Sequence, residues 1–355
     1  MKKNYFIYFI ALLIIGSSSS LYAQIGGRYV FEFLGNPQSA RLTALGGSQI
    51  TVADEDISLA MSNPALLNEK SNNQFTFNHN FHFADISNGH IAFGKSLKYL
   101  GGIHSHVAVS YVSFGDFVAA DEIGNAIGEF SGSETAITVG ASKQLNERIA
   151  LGVNLKGVFG NLESFSSSGI GLDVGLLYTR PESNIKVGMV VKNIGTQLTA
   201  YGTETGILPL DVQIGVSNRL KYLPFRFTII AHQLQRWGIR FDDPNLANTE
   251  SILGEPAQED SAFESGLDNF FRHFIFNGEF LLGKQEGLKL RFGYNHLRRQ
   301  ELSLSNFRSL AGFNLGFGVR IKGIHLDYGI GYFHIAGATN HLSIRTNLDK
   351  ILAKF

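Results

Sequence analysis

The chain has 355 residues, 30 basic and 30 acidic side chains, a formal net charge of zero and no cysteine. Zero net charge argues against nucleic acid as a partner, and without cysteine there is neither a disulfide nor a lipid anchor through Cys. Its 40 Gly, 29 Phe and 12 Tyr beside only 17 % charged residues do not fit an ordinary secreted domain, where roughly 25 % charged and about 7 % Gly are usual. Gly and aromatics rise together where strands curve and present rings to a membrane interface.

At the amino end, Lys2 and Lys3 precede an apolar run from about Tyr5 to Ile15, followed by Ser17 to Ser20 and a small-residue site ending at Ala23. This order predicts a secretory signal peptide over residues 1–23, cleaved near Gln24. The apolar run is roughly half of the about 20 residues that a membrane helix needs. No other stretch is long enough.

Residues 24–73 lack any two-residue alternation. They carry Ile50, Val52, Ile57, Leu59, Met61, Leu66 and Leu67, too much apolar content for a disordered leader. They also carry three consecutive acids, Asp54, Glu55 and Asp56, ahead of Asn63-Pro64-Ala65.

From about Gln74 onward the period is two. Leu288, Leu290, Phe292 and Tyr294 face away from Lys289, Arg291, Gly293 and Asn295. Ile324, Leu326, Tyr328, Ile330 and Tyr332 likewise oppose His325, Asp327, Gly329 and Gly331. Strands are predicted near 74–82, 88–97, 104–115, 133–143, 148–160, 168–180, 184–195, 210–219, 224–234, 271–283, 287–297, 309–321, 324–336 and 339–348. Most are about ten residues or longer, the length of a tilted membrane strand, whereas strands of soluble proteins are commonly about 5–6.

The connections sort by length. Those near Gln144–Glu147, Pro181–Ser183, Lys221–Leu223, Lys284–Glu286 and Lys322–Gly323 are short, and those at 115–132, 196–209, 235–270 and 298–308 are long. Bacterial barrels pair short periplasmic turns with long outer loops; the short outer connections at 83–87 and 337–338 depart from that rule. The expected fold is therefore an all-β membrane protein, a 14-stranded antiparallel outer-membrane barrel over residues 74–355. Phe355 would close the final strand as a terminal aromatic. About 14 strands leave a lumen wider than side chains alone fill, so residues 24–73 are expected to sit inside it as a hatch.

Ala40-Arg41, Gly46-Gly47, Val52-Ala53-Asp54 and Asn63-Pro64-Ala65 together resemble the amino-terminal hatch of the FadL-type barrel superfamily. Within it, the opening from Ile25, the stretch DEIGNAIGEF from Asp121, KNIGTQLTAYG from Lys192 and LPFRFTIIAHQLQRW from Leu223 resemble the PorQ family of type IX secretion components. That resemblance implies a non-catalytic platform in the cell-surface attachment complex, beside the PorU sortase, the PorV shuttle barrel and the PorZ surface protein. The FadL resemblance implies an alternative, passive transport of hydrophobic small molecules across the outer membrane.

No constellation of catalysis accompanies these features. There is no G-x-S-x-G elbow, P-loop or H-E-x-x-H, and His104 and His106 share a strand face without Cys or clustered acids at ligand spacing. No cofactor, metal or enzyme activity is expected. The pairs Gly316/Gly318 and Gly329/Gly331 read as curvature positions, and the acid-rich connection 235–270 reads as a solvated loop or a docking surface.

If apolar residues face lipid, parity turns Lys156, Lys186, Lys192, Lys289 and Arg291 inward. Asp54, Glu55 and Asp56 then either cap a short helix or face the periplasm, or at least one bonds a wall cation such as Lys289 or Arg291 and holds the hatch shut.

Overall fold

A computed structural model describes residues 29–97, 99, 101–240, 262–302, 310–334 and 337–352. The predicted signal peptide, the terminal Phe355 and most of the acid-rich loop (241–261) lie outside the described residues. Fourteen antiparallel strands form a closed barrel in which each is bonded to its sequence neighbours and β1 to β14. The first half comprises β1 (Gln74–Phe81), β2 (Ser87–Leu97), β3 (Ile103–Ala120), β4 (Ala126–Gln144), β5 (Ile149–Leu162), β6 (Phe165–Arg180) and β7 (Ile185–Thr199). The second comprises β8 (Asp211–Arg219), β9 (Phe225–Ala231), β10 (Phe274–Leu282), β11 (Leu288–Asn295), β12 (Phe313–Ile321), β13 (Ile324–His334) and β14 (Gly337–Asn347). Closure places Phe75 opposite Thr346 and Asn80 opposite His341. A closed ring leaves no strand edge with unpaired backbone groups, the condition for crossing a bilayer with strands.

The alternation is an inside-outside code. In β11, Leu288, Leu290 and Phe292 are exposed on the outer face while Lys289, Arg291, Gly293 and Asn295 are buried. Apolar side chains point at lipid and polar ones into the barrel, the reverse of a soluble sheet. The described part of the chain contains no helix long and apolar enough to cross a membrane.

The strands are longer than expected on one side. β3 and β4 continue to Ala120 and from Ala126, so the expected 115–132 loop is mostly a hairpin. Gly115 at φ +78° and a register shift between Ser113 and Asp116 break the alternation, but pairing continues beyond them. The tip is shaped by Asp121, whose Oδ1 accepts from the backbone N–H of Ile123 and Asn125 at 3.1 and 2.8 Å, and Phe117 stacks on Phe130 across the pair. β3 and β4 have 18 and 19 residues against the about 9–11 that span a bilayer, so this wall stands proud on the long-connection side.

Two helices cover that same side: α2 (Ala262–Arg272) between β9 and β10, and α3 (His296–Glu301) after β11. The polar face of α2 turns toward the protein, with Asp268 bonded to Arg272 at 2.7 Å and to His296 of α3 at 3.2 Å. Its stripe Phe263, Leu267, Phe270 and Phe271 is exposed, and Phe270 and Phe271 pack on Phe274 of β10.

The segment from Tyr29 to Asn73 lies against the inward-facing side chains. It contains the short helix α1 (Ala40–Ala44) and brief 3-10 turns at Glu32–Gly35, Ile57–Met61, Pro64–Leu66 and Glu69–Ser71. Each start is capped locally where a side chain can reach: the Ser39 hydroxyl accepts from the Leu42 N–H, the Asp56 carboxylate from Ser58 and the Asn63 carbonyl from Ala65. Its apolar residues are buried in four clusters. Phe31, Phe33 and Leu34 pack on Val112, Ala136, Val158 and Leu208, and Ile50 packs on Val190, Ile230 and Ile275.

Inward glycines receive this segment. A Cβ on Gly152 would lie 2.3 Å from the Pro64 carbonyl carbon, and one on Gly188 would lie 2.1 Å from the Ile50 oxygen. Gly316 and Gly329, expected as curvature positions, face Ala44 and Ala40 of α1 in the same way, at 2.5 and 2.2 Å. They are seats for another piece of backbone, which strand periodicity alone does not reveal.

Gly152→Val should therefore displace the Asn63-Pro64-Ala65 turn and lower stability by about 1–3 kcal/mol, the usual cost of overpacking. Gly157→Val lies on the lipid face of the same strand, where a Cβ would meet nothing nearer than 3.7 Å, and should be tolerated. Thermal unfolding of both variants in detergent checks the contrast.

Candidate functional site

The barrel encloses a continuous set of ion pairs between the inner segment and the wall. Arg41 of α1 is its centre, with a side chain only 1 % exposed. Its Nη1 lies 2.8 Å from Asp54 and 3.2 Å from Asp56, both on the same segment. Its Nε and Nη2 form a two-pronged contact with the two oxygens of Glu279 on β10, at 3.0 and 3.2 Å. Glu279 also accepts from Arg226 of β9 at 2.9 Å and Arg291 of β11 at 3.1 Å. Arg291 reaches on to Asp327 of β13 at 2.6 Å. Asp56 closes the circuit through Arg345 of β14, at 2.6 Å. Four guanidiniums thus meet four carboxylates, so charges that would be prohibitive singly are compensated.

Strand register explains much of this arrangement. Arg226 and Arg291 stand directly opposite Glu279 on its two neighbouring strands, where opposite charges attract most strongly. Asp327 is one strand further away, beyond β12. The intervening inward position is Gly318, whose Cβ would fall 2.1 Å from Asp327 and 3.0 Å from Arg291. The missing side chain is the window through which the two meet. Gly140 does the same for His106 and Asn154, which bond at 2.9 Å across β4.

The expected acids and cations are placed as follows. Asp54 and Asp56 bond Arg41, Asp56 also bonds Arg345, and Glu55 lies 3.1 Å from His325 of β13. Asp56 additionally caps the Ile57–Met61 turn, so the capping and ion-pair readings hold together at one residue. The pairing of these acids with Lys289 and Arg291 is corrected: Arg291 is taken by Glu279 and Asp327, and Lys289 forms no ion pair within 4.0 Å among the described residues. Lys156 is inward and buried, but its partner is Asp173 of the next strand at 2.8 Å. Arg345, Glu279 and Arg41 carry the contact instead. Arg345 and Glu279 were legible as inward positions by strand parity; Arg41 was not, because the inner segment has no period.

The motif residues of that segment serve its seating. The Asn63 amide donates to the Ile50 oxygen at 2.9 Å and to the Leu176 oxygen of β6 at 3.3 Å. Pro64 and Ala65 rest on Gly152. Gly46 and Gly47, at φ +82° and +106°, turn the chain out of α1, and the Gly47 N–H returns to the Leu42 oxygen at 2.8 Å. Both glycines occupy the left-handed region that other residues enter at a cost.

On the inner segment the electrostatics favour ionised acids. A hydrogen bond from His325 holds the Glu55 carboxyl down to about 2 against partial burial. Burial opposes ionisation of Asp56, but Arg345 and Arg41 outweigh it and keep that carboxyl well below the usual range. No group of three or more potential metal ligands occurs among the described residues.

Comparison with known proteins adds the fold alone. No family model and no curated protein matches the chain. Among solved structures, the Pseudomonas putida toluene transporter TodX is similar over 90 % of this chain and 98 % of its own, with a TM-score of 0.53 and 12 % identity. The CymD monoaromatic hydrocarbon channel covers 87 % of this chain and 96 % of its own, with a TM-score of 0.51 and 13 % identity. Barrel closure and an apolar exterior place the protein in the outer membrane, where bacterial barrels of this kind reside.

Two outcomes are expected. Arg41→Gln leaves Asp54, Asp56 and Glu279 short of a partner and should cost about 3–5 kcal/mol, read by chemical unfolding in detergent. Arg41→Lys should rescue little, because an ammonium cannot reproduce the planar fork. Acid should loosen a second contact between the inner segment and the wall, that of Glu55 with His325. Glu55 falls from an ordinary value of 4.5 to about 2 in the folded protein, so its contribution is complete above about 4.5 and is lost as pH falls toward 2. Conductance of the bilayer-inserted barrel should stay low at neutral pH and rise across that acidic window.

Proposed function

We propose that the protein is a plugged outer-membrane barrel acting as a non-catalytic platform of the type IX secretion attachment complex. The observation that carries this reading is the bolting of the inner segment to the wall through Arg41, Glu279, Asp56 and Arg345. A plug held by buried, mutually compensated charges suits a barrel that stays shut. Phe31 and Phe33 pack on Val112, Ala136 and Val158 of the wall, so the chain's own side chains fill that part of the interior. The exposed stripe of α2 and the raised β3–β4 wall offer surfaces on the long-connection side for a PorZ-like partner, and contiguous exposed apolar area usually marks contact with another body. The resemblance of the segments at Ile25, Asp121, Lys192 and Leu223 supplies the identity of the complex, with the PorU sortase and PorV shuttle barrel as its other members.

A second reading is passive entry of a small hydrophobic molecule, and the similar solved structures favour it: their described roles as a toluene transporter and a hydrocarbon channel are nearer to transport than to secretion. It requires the inner segment to shift, since its Asn63-Pro64-Ala65 turn and α1 are seated directly on wall glycines. A cavity of about 400 Å³ bounded by Pro37, Phe83, Ile86 and Phe333 also holds Asn80, His82 and Arg298, a mixed lining for such a molecule.

Deletion of the gene separates the two. The platform reading expects cargo bearing the carboxy-terminal sorting signal to lose surface display and processing, with uptake of monoaromatic compounds unchanged. Normal display together with lost uptake would establish transport in its place.

A further inference from the structure

The short-turn end of the barrel holds a cavity of about 650 Å³. Its rim is built from the β6–β7, β8–β9, β10–β11 and β12–β13 turns, and Val52 to Glu55 of the inner segment form its floor. Eight basic side chains line it against three acidic ones. Such an excess in a concave site shaped by low-dielectric walls focuses a positive potential. Short turns face the periplasm in bacterial barrels, so the site opens to that compartment.

Several of these charges are already used. Arg226 bonds Glu279 and Arg219 bonds Glu286 at 2.7 Å. Lys186, Lys284, Lys289 and Arg320 form no side-chain ion pair within 4.0 Å among the described residues. Lys289 is the telling case: it is 7 % exposed, lines the cavity, and has no hydrogen-bond partner for its ammonium among the described residues. Its ammonium opens onto the water of the cavity beside Asp54 and the guanidiniums of Arg41, Arg291 and Arg345, where cations outnumber the carboxylate. An anion in the cavity would be attracted by that unbalanced charge.

From this we propose that the periplasmic cavity is a binding site for a small, multiply charged phosphate-bearing anion. The volume falls within the about 300–1,000 Å³ of small-molecule sites. Three of the unpaired groups are ammoniums, compact point charges that suit phosphate, whereas the guanidinium forks that suit carboxylate are mostly engaged. The barrel wall separates the site from the bilayer, so the ligand is a free anion and not a lipid headgroup. The inference stands apart from the secretion reading, since it concerns the opposite face and holds for a platform or a channel alike.

The test is calorimetric titration of tripolyphosphate into the full-length protein in zwitterionic detergent at low salt. Saturable binding of one equivalent is expected, weakening steeply as salt rises. Lys186→Gln and Lys289→Gln should each reduce affinity about tenfold, the value of one charge-assisted contact. Lys289→Arg should retain most of it, which separates loss of charge from loss of fold. Lys143→Gln, an exposed charge on β4 outside the cavity, should leave binding unchanged. Absence of saturable binding to the unsubstituted protein would overturn the proposal. So would an equal loss in Lys143→Gln, tighter binding of a hexa-aspartate peptide, or tighter binding of monomeric short-chain phosphatidic acid.

Discussion

The contact between Arg41 and Glu279 is the interaction on which the interior depends. A guanidinium and a carboxylate at this depth cannot fall back on water, and each is tolerable only because the other is in place. Removing either would strand a charge among neighbours that were arranged around it. Asp54 and Asp56 would crowd one another without Arg41, and Arg226 and Arg291 would do so without Glu279. The inner segment and the β9–β14 wall are for this reason one electrostatic unit.

Steric openings make that unit possible. Gly318 lets Arg291 see Asp327 across a strand, and Gly316 and Gly329 let α1 lie directly on the wall. A side chain at Gly316 or Gly329 would push α1 inward, and one at Gly318 would come between Arg291 and Asp327. High glycine content here expresses a close fit between two backbones, with polar groups and small clusters of apolar side chains filling what remains.

The same arrangement divides the molecule into faces of different chemistry. The outer wall is apolar and meets lipid, the interior is polar and self-compensating, and the short-turn end has positive charge in excess of its partners. On the opposite side, α2 inverts the usual order for a surface helix: its polar face is bonded to α3 and its aromatic stripe is exposed. A surface of that kind is stable in contact with lipid or another protein.

Much of the barrel could be read directly from the chain. In β11, β13 and neighbouring strands the two-residue period tells which side chains face lipid, and the spacing of the strands marks most of their connections. Strand parity also marks Lys289, Arg291, Glu279 and Arg345 as positions of the interior, because a closed sheet obliges alternate residues to share a face. Irregularities hid the rest: Gly115 interrupts the period although pairing continues through it, and the segment around α1 has no period to follow. Which interior charges meet was decided only by the tertiary structure. Arg41 lies 238 residues from Glu279 in the chain, and Asp56 meets Arg345 of β14 while Lys289 faces the cavity. Local spacing determines the face a side chain takes; its partner depends on how two distant backbones come to rest against each other.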